Sequence, residues 1–97
     1  MKKFMFLYKG FKTPTPEIGQ AWMKWFEQVG DKMVDSGNPM AAGTEITKDS
    51  KVSELEFGLD AFTGYSIINA VSKEEAIELA KTNPMITSVM VYELGHM

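Results

Sequence analysis

Apolar and polar positions along the chain follow two periods, and the switches between them mark out strands and helices. Residues 3–9, KFMFLYK, form a short apolar run with aromatic content. The run is too short for a helix and predicts a largely buried strand. GFKTPTPE then breaks the pattern with Gly10, Pro14 and Pro16. Pro16 suits the first turn of a helix, with Thr15 as its cap. From Glu17 to about Ser36 the period is helical: Ile18, Trp22, Trp25, Val29 and Met33 form one stripe, widened by Ala21 and Phe26. Gly37 offers a left-handed stop, and Pro39 prevents continuation.

The middle of the chain is less regular. AAGTEIT and KVSELEF are each strand-like and flank the turn signal KDS, so residues 40–58 predict either a hairpin or a single strand. After the break GLDAFTG, residues 64–71 alternate Tyr65, Ile67 and Val71 with Ser66, Ile68 and Ala70. Both sets are largely apolar, which predicts a strand at least partly covered on both faces. Ser72 with Glu75 makes a capping box, and Glu74 adds negative charge at the positive end of the helix that follows. Ala76, Ile77, Leu79 and Ala80 supply its apolar face, and Asn83 before Pro84 ends it. Residues 85–94, MITSVMVYEL, predict a last strand with Ile86, Met90, Tyr92 and Leu94 on one side and Val89 and Val91 on the other.

The order β-α-(β or β-β)-β-α-β is that of a ferredoxin-like split β-α-β unit: α+β, an antiparallel sheet with two helices on one face. The other face would still carry Met85, Val89 and Val91, or their alternates. An uncovered patch of that kind invites association, so a homodimer packing sheet on sheet is the simplest expectation.

Composition narrows the function. The 97 residues predict one domain, 1–97, with a thin core. A net charge of −3 argues against nucleic acid and against an anionic membrane surface as partners. All ten cationic side chains are Lys, so the bidentate guanidinium clamp usual for phosphate or carboxylate is missing. With no Cys and one His, His96, neither a thiolate centre nor a multi-His metal site can form within one chain. No metal or cofactor is expected. The apolar run in MKKFMFLYKG is too short for a signal-peptide core or a membrane span, which makes a cytoplasmic protein the expectation.

GYSIINAVSKEEAIELAKTNPMI resembles the strand–helix–proline signature of the YCII-related family, including its DGPF branch, at Gly64, Tyr65, Ser72, Glu75, Ala76 and Pro84. KKFMFLYKG, TPEIGQAWMKWFEQV and SGNPMAAG are similar to the family's first strand, Trp-containing helix and Gly-rich exit. The resemblance implies a ferredoxin-like subunit in a dimeric α+β barrel that holds a pocket. Many members carry a His in the first helix and an Asp before the late Pro, a pair proposed as a catalytic dyad. Here the helix has Trp22, Met23 and Trp25, and the Asp-Pro is Asn83-Pro84. The DGPF tetrapeptide is reduced to LDAF, with Asp60 and Phe62 in place. The dyad chemistry therefore transfers to no residue of this chain.

Candidate pocket residues follow from both readings. Trp22 and Trp25 on one helix face suit either core or the wall of an aromatic pocket. Tyr8, Tyr65 and Tyr92 lie on three expected strands, where a phenol can be a sheet aromatic or can bond to a ligand. Tyr65 is preferred because it matches the family's Gly-Tyr. Asp60 caps a turn or, if buried, acts as a base. Asn83 bonds nearby backbone or contacts ligand, but its amide cannot be a base. Lys9 is a solvated lysine or a partner for an acidic ligand, and His96 lies in a tail where chains fray. The expected ligand pocket is thus Tyr8, Trp22, Trp25, Tyr65 and Asn83, with Tyr65 and Asp60 as the catalytic candidates. Three functions fit: binding of a small apolar or aromatic metabolite, a cofactor-free enzyme of isomerase, dehydrochlorinase or oxygenase type on an aromatic or lactone-like substrate, and a purely structural dimer.

Overall fold

The computed structural model describes residues 1–95. His96 lies outside the described residues. Strand β1 (Lys2–Lys9) leads to helix α1 (Pro16–Val29), then a 3-10 turn (Gly30–Lys32) and a three-residue strand β2 (Met33–Asp35). A hairpin of β3 (Thr44–Ile46) and β4 (Val52–Glu54) follows, then β5 (Phe62–Ala70), α2 (Lys73–Lys81) and β6 (Ser88–Leu94). The main sheet has the order β2-β5-β1-β6, with every neighbouring pair antiparallel. This is the ferredoxin-like α+β arrangement, with the hairpin inserted between the second and third strands of the unit.

Both helices start as their sequences dictate. The Thr15 hydroxyl accepts from the Ile18 amide at 3.2 Å, and Pro16 opens α1. The Ser72 hydroxyl accepts from the Glu75 amide at 3.2 Å, while Glu75 reaches back to the Val71 amide at 3.3 Å. The end of α1 differs from expectation. The helical period runs on to Met33, but Gly30 takes a positive φ of 59° and its amide caps the Phe26 carbonyl, so the helix stops at Val29. Met33 instead packs on the core from β2. The strand opposite β5 is therefore β2, and residues 40–58 form the hairpin rather than part of the main sheet.

Register sorts the strand residues onto two faces. Phe4, Phe6 and Tyr8 pair with Ile68, Ser66 and Gly64, and Phe6 and Tyr8 also face Val91 and Val89. This set, with Ala70, meets Trp25 and Val29 of α1 and Ala76 and Ala80 of α2 in the core. The alternates Met5, Leu7, Tyr65, Ile67 and Met90 lie on the opposite face and are half-buried, with Tyr92 beside them more exposed. Val89 and Val91 thus belong to the helix-covered face, and the open face takes their alternates. Trp25 ties the helices together: its indole N–H is 3.1 Å from both the Leu79 carbonyl and the Thr82 hydroxyl, at the end of α2. The Leu79 carbonyl also accepts from the Thr82 amide at 3.2 Å and from the Thr82 hydroxyl at 2.7 Å.

Residues 36–61 leave the sheet as an arm. Gly37 has φ of 80°, and a Cβ on it would lie 1.6 Å from the Tyr65 carbonyl oxygen, so only glycine allows the crossing. Ile46 and Val52 on the hairpin are 69% and 66% exposed, so the hairpin buries little against the rest of the molecule. The slab measures 41 × 39 × 18 Å, with a radius of gyration of 14.6 Å. A compact chain of this length would have about 12–13 Å.

Candidate functional site

Two cavities flank the sheet. The first, of 490 Å³, lies beside the N-terminal half of α1 and is bordered by Tyr8, Ile18, Trp22, Phe26, Tyr65 and Ile86, among others. Loop 10–14 and the turn at 36–39 form its rim. Strand alternation brings Tyr8 to the helix side of β1, where its ring meets Trp22 edge-on at 4.9 Å between centroids. Trp22 is half-buried and also touches Phe26 at 5.8 Å, giving the cavity an aromatic wall.

The polar part of this wall is a short relay. The Tyr8 hydroxyl donates to Ser66 Oγ at 2.8 Å, and Ser66 Oγ donates to the Ser36 carbonyl at 3.0 Å. Ser66 has no exposed surface and Tyr8 is 7% exposed. Burial pushes the Tyr8 phenol up to about 12, and the neighbouring Ser66 hydroxyl and Asn83 amide only partly offset this. Tyr8 is therefore a neutral phenol throughout the physiological range. Asn83 is held just past α2 by its backbone N–H, which donates to the Ala80 carbonyl at 3.1 Å. The residue is 6% exposed, and neither side-chain amide atom makes a hydrogen bond of normal geometry with a protein group.

The second cavity, of 660 Å³, lies on the other side of the sheet, under the arm. Leu7, Met40, Leu55, Phe57, Leu59 and Phe62 are the larger apolar residues that line it, and Asp60 is on its border. The rings of Phe57 and Phe11 meet at 4.6 Å where the arm returns to the end of β1.

The five expected pocket residues are therefore distributed. Tyr8, Trp22 and Tyr65 border one cavity. Asn83 is close to the Tyr8 phenol, behind that wall. Trp25 is 2% exposed, with its N–H directed to the end of α2, and does not border the cavity. Asp60 is exposed at the other cavity, so Tyr65 and Asp60 do not share a site. Ser66 and the Ser36 carbonyl were not among the expected residues. Ser66 had a signal, a lone hydroxyl in the strand set shared with Ile68 and Ala70. A backbone carbonyl has none. Among the described residues no group of three or more His, Cys, Asp or Glu could hold a metal, and no helix is long and apolar enough to cross a membrane.

The chain is a small α+β protein with an antiparallel sheet and two helices. A solved structure similar to it is 5-chloro-2-hydroxyhydroquinone dehydrochlorinase (TftG) from Burkholderia phenoliruptrix AC1100, in complex with 2,5-dihydroxybenzoquinone. The likeness has a TM-score of 0.57 at 17% identity and covers 98% of this chain and 95% of that one. At that identity it shows the fold alone. No protein-family model matches the chain, and no curated protein does.

Proposed function

We propose that the protein is a YCII-like homodimer of the cytoplasm that binds a small apolar or aromatic metabolite in the cavity beside α1. The observation that carries this reading is the meeting of Tyr8 and Trp22 in the aromatic wall of one 490 Å³ cavity, backed by a buried polar relay. That volume suits a small ligand, and few but well-placed polar groups are what such pockets use to orient one. The homodimer is supported by the half-buried apolar face of Met5, Leu7, Ile67 and Met90, which no element of this chain covers with a helix.

A second reading, a cofactor-free enzyme acting on a small aromatic, is favoured by the structural neighbour's activity as a dehydrochlorinase. Against it stands the lack, among the described residues bordering the cavity, of a carboxylate or imidazole to act as a base. Where the family's proposed dyad would lie, the first helix carries Trp22, Met23 and Trp25 and Asn83 precedes the late Pro, and none of these takes up a proton near neutrality. Asp60 borders the opposite cavity.

Native mass spectrometry of gently purified protein tests the proposal. The expected result is two chains of 10.9 kDa with a retained small-molecule mass. A ligand-free monomer that also fails to respond to added aromatic fragments would overturn it.

A further inference from the structure

The charge around the cavity beside α1 narrows the class of ligand it takes, an inference that rests on the binding reading above and goes further. Among the described residues that border this cavity, Lys12 is the one that carries a charge, and it is exposed on the rim loop. The acids closest to the rim in sequence are Glu17 and Asp35, and neither borders the cavity. Asp35 Oδ1 already accepts from the Gly37 amide at 2.8 Å. None of the ion pairs among the described residues involves Lys12. The chain as a whole carries −3, so the mouth of the cavity has the opposite sign to the molecule.

Other donors at the border are turned into the protein. Tyr8 donates to Ser66 Oγ at 2.8 Å, and Thr63 Oγ1 donates to the Gly10 carbonyl at 2.9 Å. The rim amides of Gly10 and Phe11 donate to the Ala61 and Gly58 carbonyls, at 2.8 and 3.1 Å. The ligand thus meets an aromatic wall at Tyr8, Trp22 and Phe26 and a cation at the rim.

We propose that the cavity takes aromatic acids, with the ring against the Tyr8–Trp22 wall and an ionised carboxylate at the mouth, beside the Lys12 ammonium. A carboxylate at the rim keeps part of its water, so the site does not bear the cost of burying a charge. Lys12 acts as a point charge on a flexible stem and needs no bidentate grip, in keeping with a chain that has no Arg. A neutral arene gains the wall but not the attraction. An arylammonium gains the wall, is repelled by Lys12 and finds no carboxylate at the border.

The test titrates the full chain with benzoate, benzamide and benzylammonium at neutral pH, followed through the Trp22 indole signal in 1H–15N correlation NMR. Benzoate should bind roughly two- to fivefold more tightly than benzamide, the effect of one exposed ion pair, and benzylammonium should bind most weakly. The preference should fade as ionic strength rises from about 0.01 M to about 1 M, where the Debye length falls from about 30 Å to about 3 Å. Lys12→Met should bring benzoate and benzamide together, and Lys12→Glu should put benzylammonium ahead of benzoate. Lys24→Met removes an equal charge from an exposed position of α1 off the border and should leave the preference in place. The wild-type spectrum serves as the check that each variant is folded.

Equal binding of benzoate and benzamide by the wild-type chain would overturn the preference for acids while leaving the cavity reading intact. A preference that survives Lys12→Met, or that Lys24→Met removes equally, would overturn the role of Lys12. No response to any of the three compounds would remove the cavity reading and this inference with it.

Discussion

The two faces of the sheet are built from the same strands, residue by alternate residue, yet they end in different states. On the helix side, Phe4, Phe6, Ser66 and Ile68 have no exposed surface, and two helices complete the layer. On the other side, Met5, Leu7, Ile67 and Met90 are equally apolar but only half-buried, and what lies over part of them is an arm rather than a helix. An antiparallel sheet with one wet face normally alternates apolar and polar residues. This one does not. The difference teaches that the chain's own stability rests on one face, while the other is suited to a second molecule.

The comparison can be broken most forcefully in the core. Phe6→Ala should cost about 3–5 kcal/mol, a large share of the stability of a small domain. Its neighbour on the open face, Met5→Ala, should cost less than about 1.5 kcal/mol in dilute solution. Denaturant unfolding of the two variants side by side gives the answer, and similar losses would erase the distinction between the faces.

A titration sharpens it next. The Tyr8 phenol rises from 10.0 to about 12 on folding, so the folded state holds this proton more tightly than the unfolded chain does. The associated stability is complete below pH 10 and is lost as pH rises from there through about 12. The loss should be on the order of 2 kcal/mol. Tyr8→Phe should remove that part of the alkaline decline, measured as the difference between the unfolding curves of the two proteins. Parallel declines would mean that Tyr8 is not buried as described.

The smallest effect on a single copy is expected on the open face. Leu7→Glu should change the stability of the dilute chain by about 1 kcal/mol or less. It should nevertheless abolish the proposed self-association, read by light scattering of the wild-type and variant chains across a concentration series. A variant that still dimerises would place the contact between copies elsewhere.

The sequence made much of this legible, for reasons that vary by element. Strands β1, β5 and β6 and helix α2 stood out because period, caps and breakers agreed. The hairpin was one of two open options for residues 40–58. Strand β2 was hidden. Met33 lies on the same helical period as Val29, so the pattern ran through Gly30, and nothing in the spacing showed that this glycine takes a left-handed conformation. A three-residue strand is also too short to establish an alternation of its own. At the cavity, Tyr8 and Trp22 were visible as aromatics on known periods. Their meeting depends on how α1 crosses β1, and a crossing angle has no local signature. Trp25 shows the converse: it shares the helical stripe with Trp22, yet one turn along the helix its N–H is turned to the end of α2 instead of to the cavity.

The central place of β1 has a consequence in time. Its two sheet partners are β5 and β6, so Lys2 waits for Ala70 and Lys3 for Leu94. At about 5–20 residues per second, a ribosome takes roughly 5–20 s to deliver the last of these strands. Until its partners arrive, β1 is an unpaired apolar strand, FMFLY, of the kind that pairs with its copies on neighbouring nascent chains. Lys2 and Lys3 before it and Lys9 after it place positive charge at both ends, where charge is most effective against such pairing. The lysines that contribute little to the finished sheet thus act as guards during its synthesis.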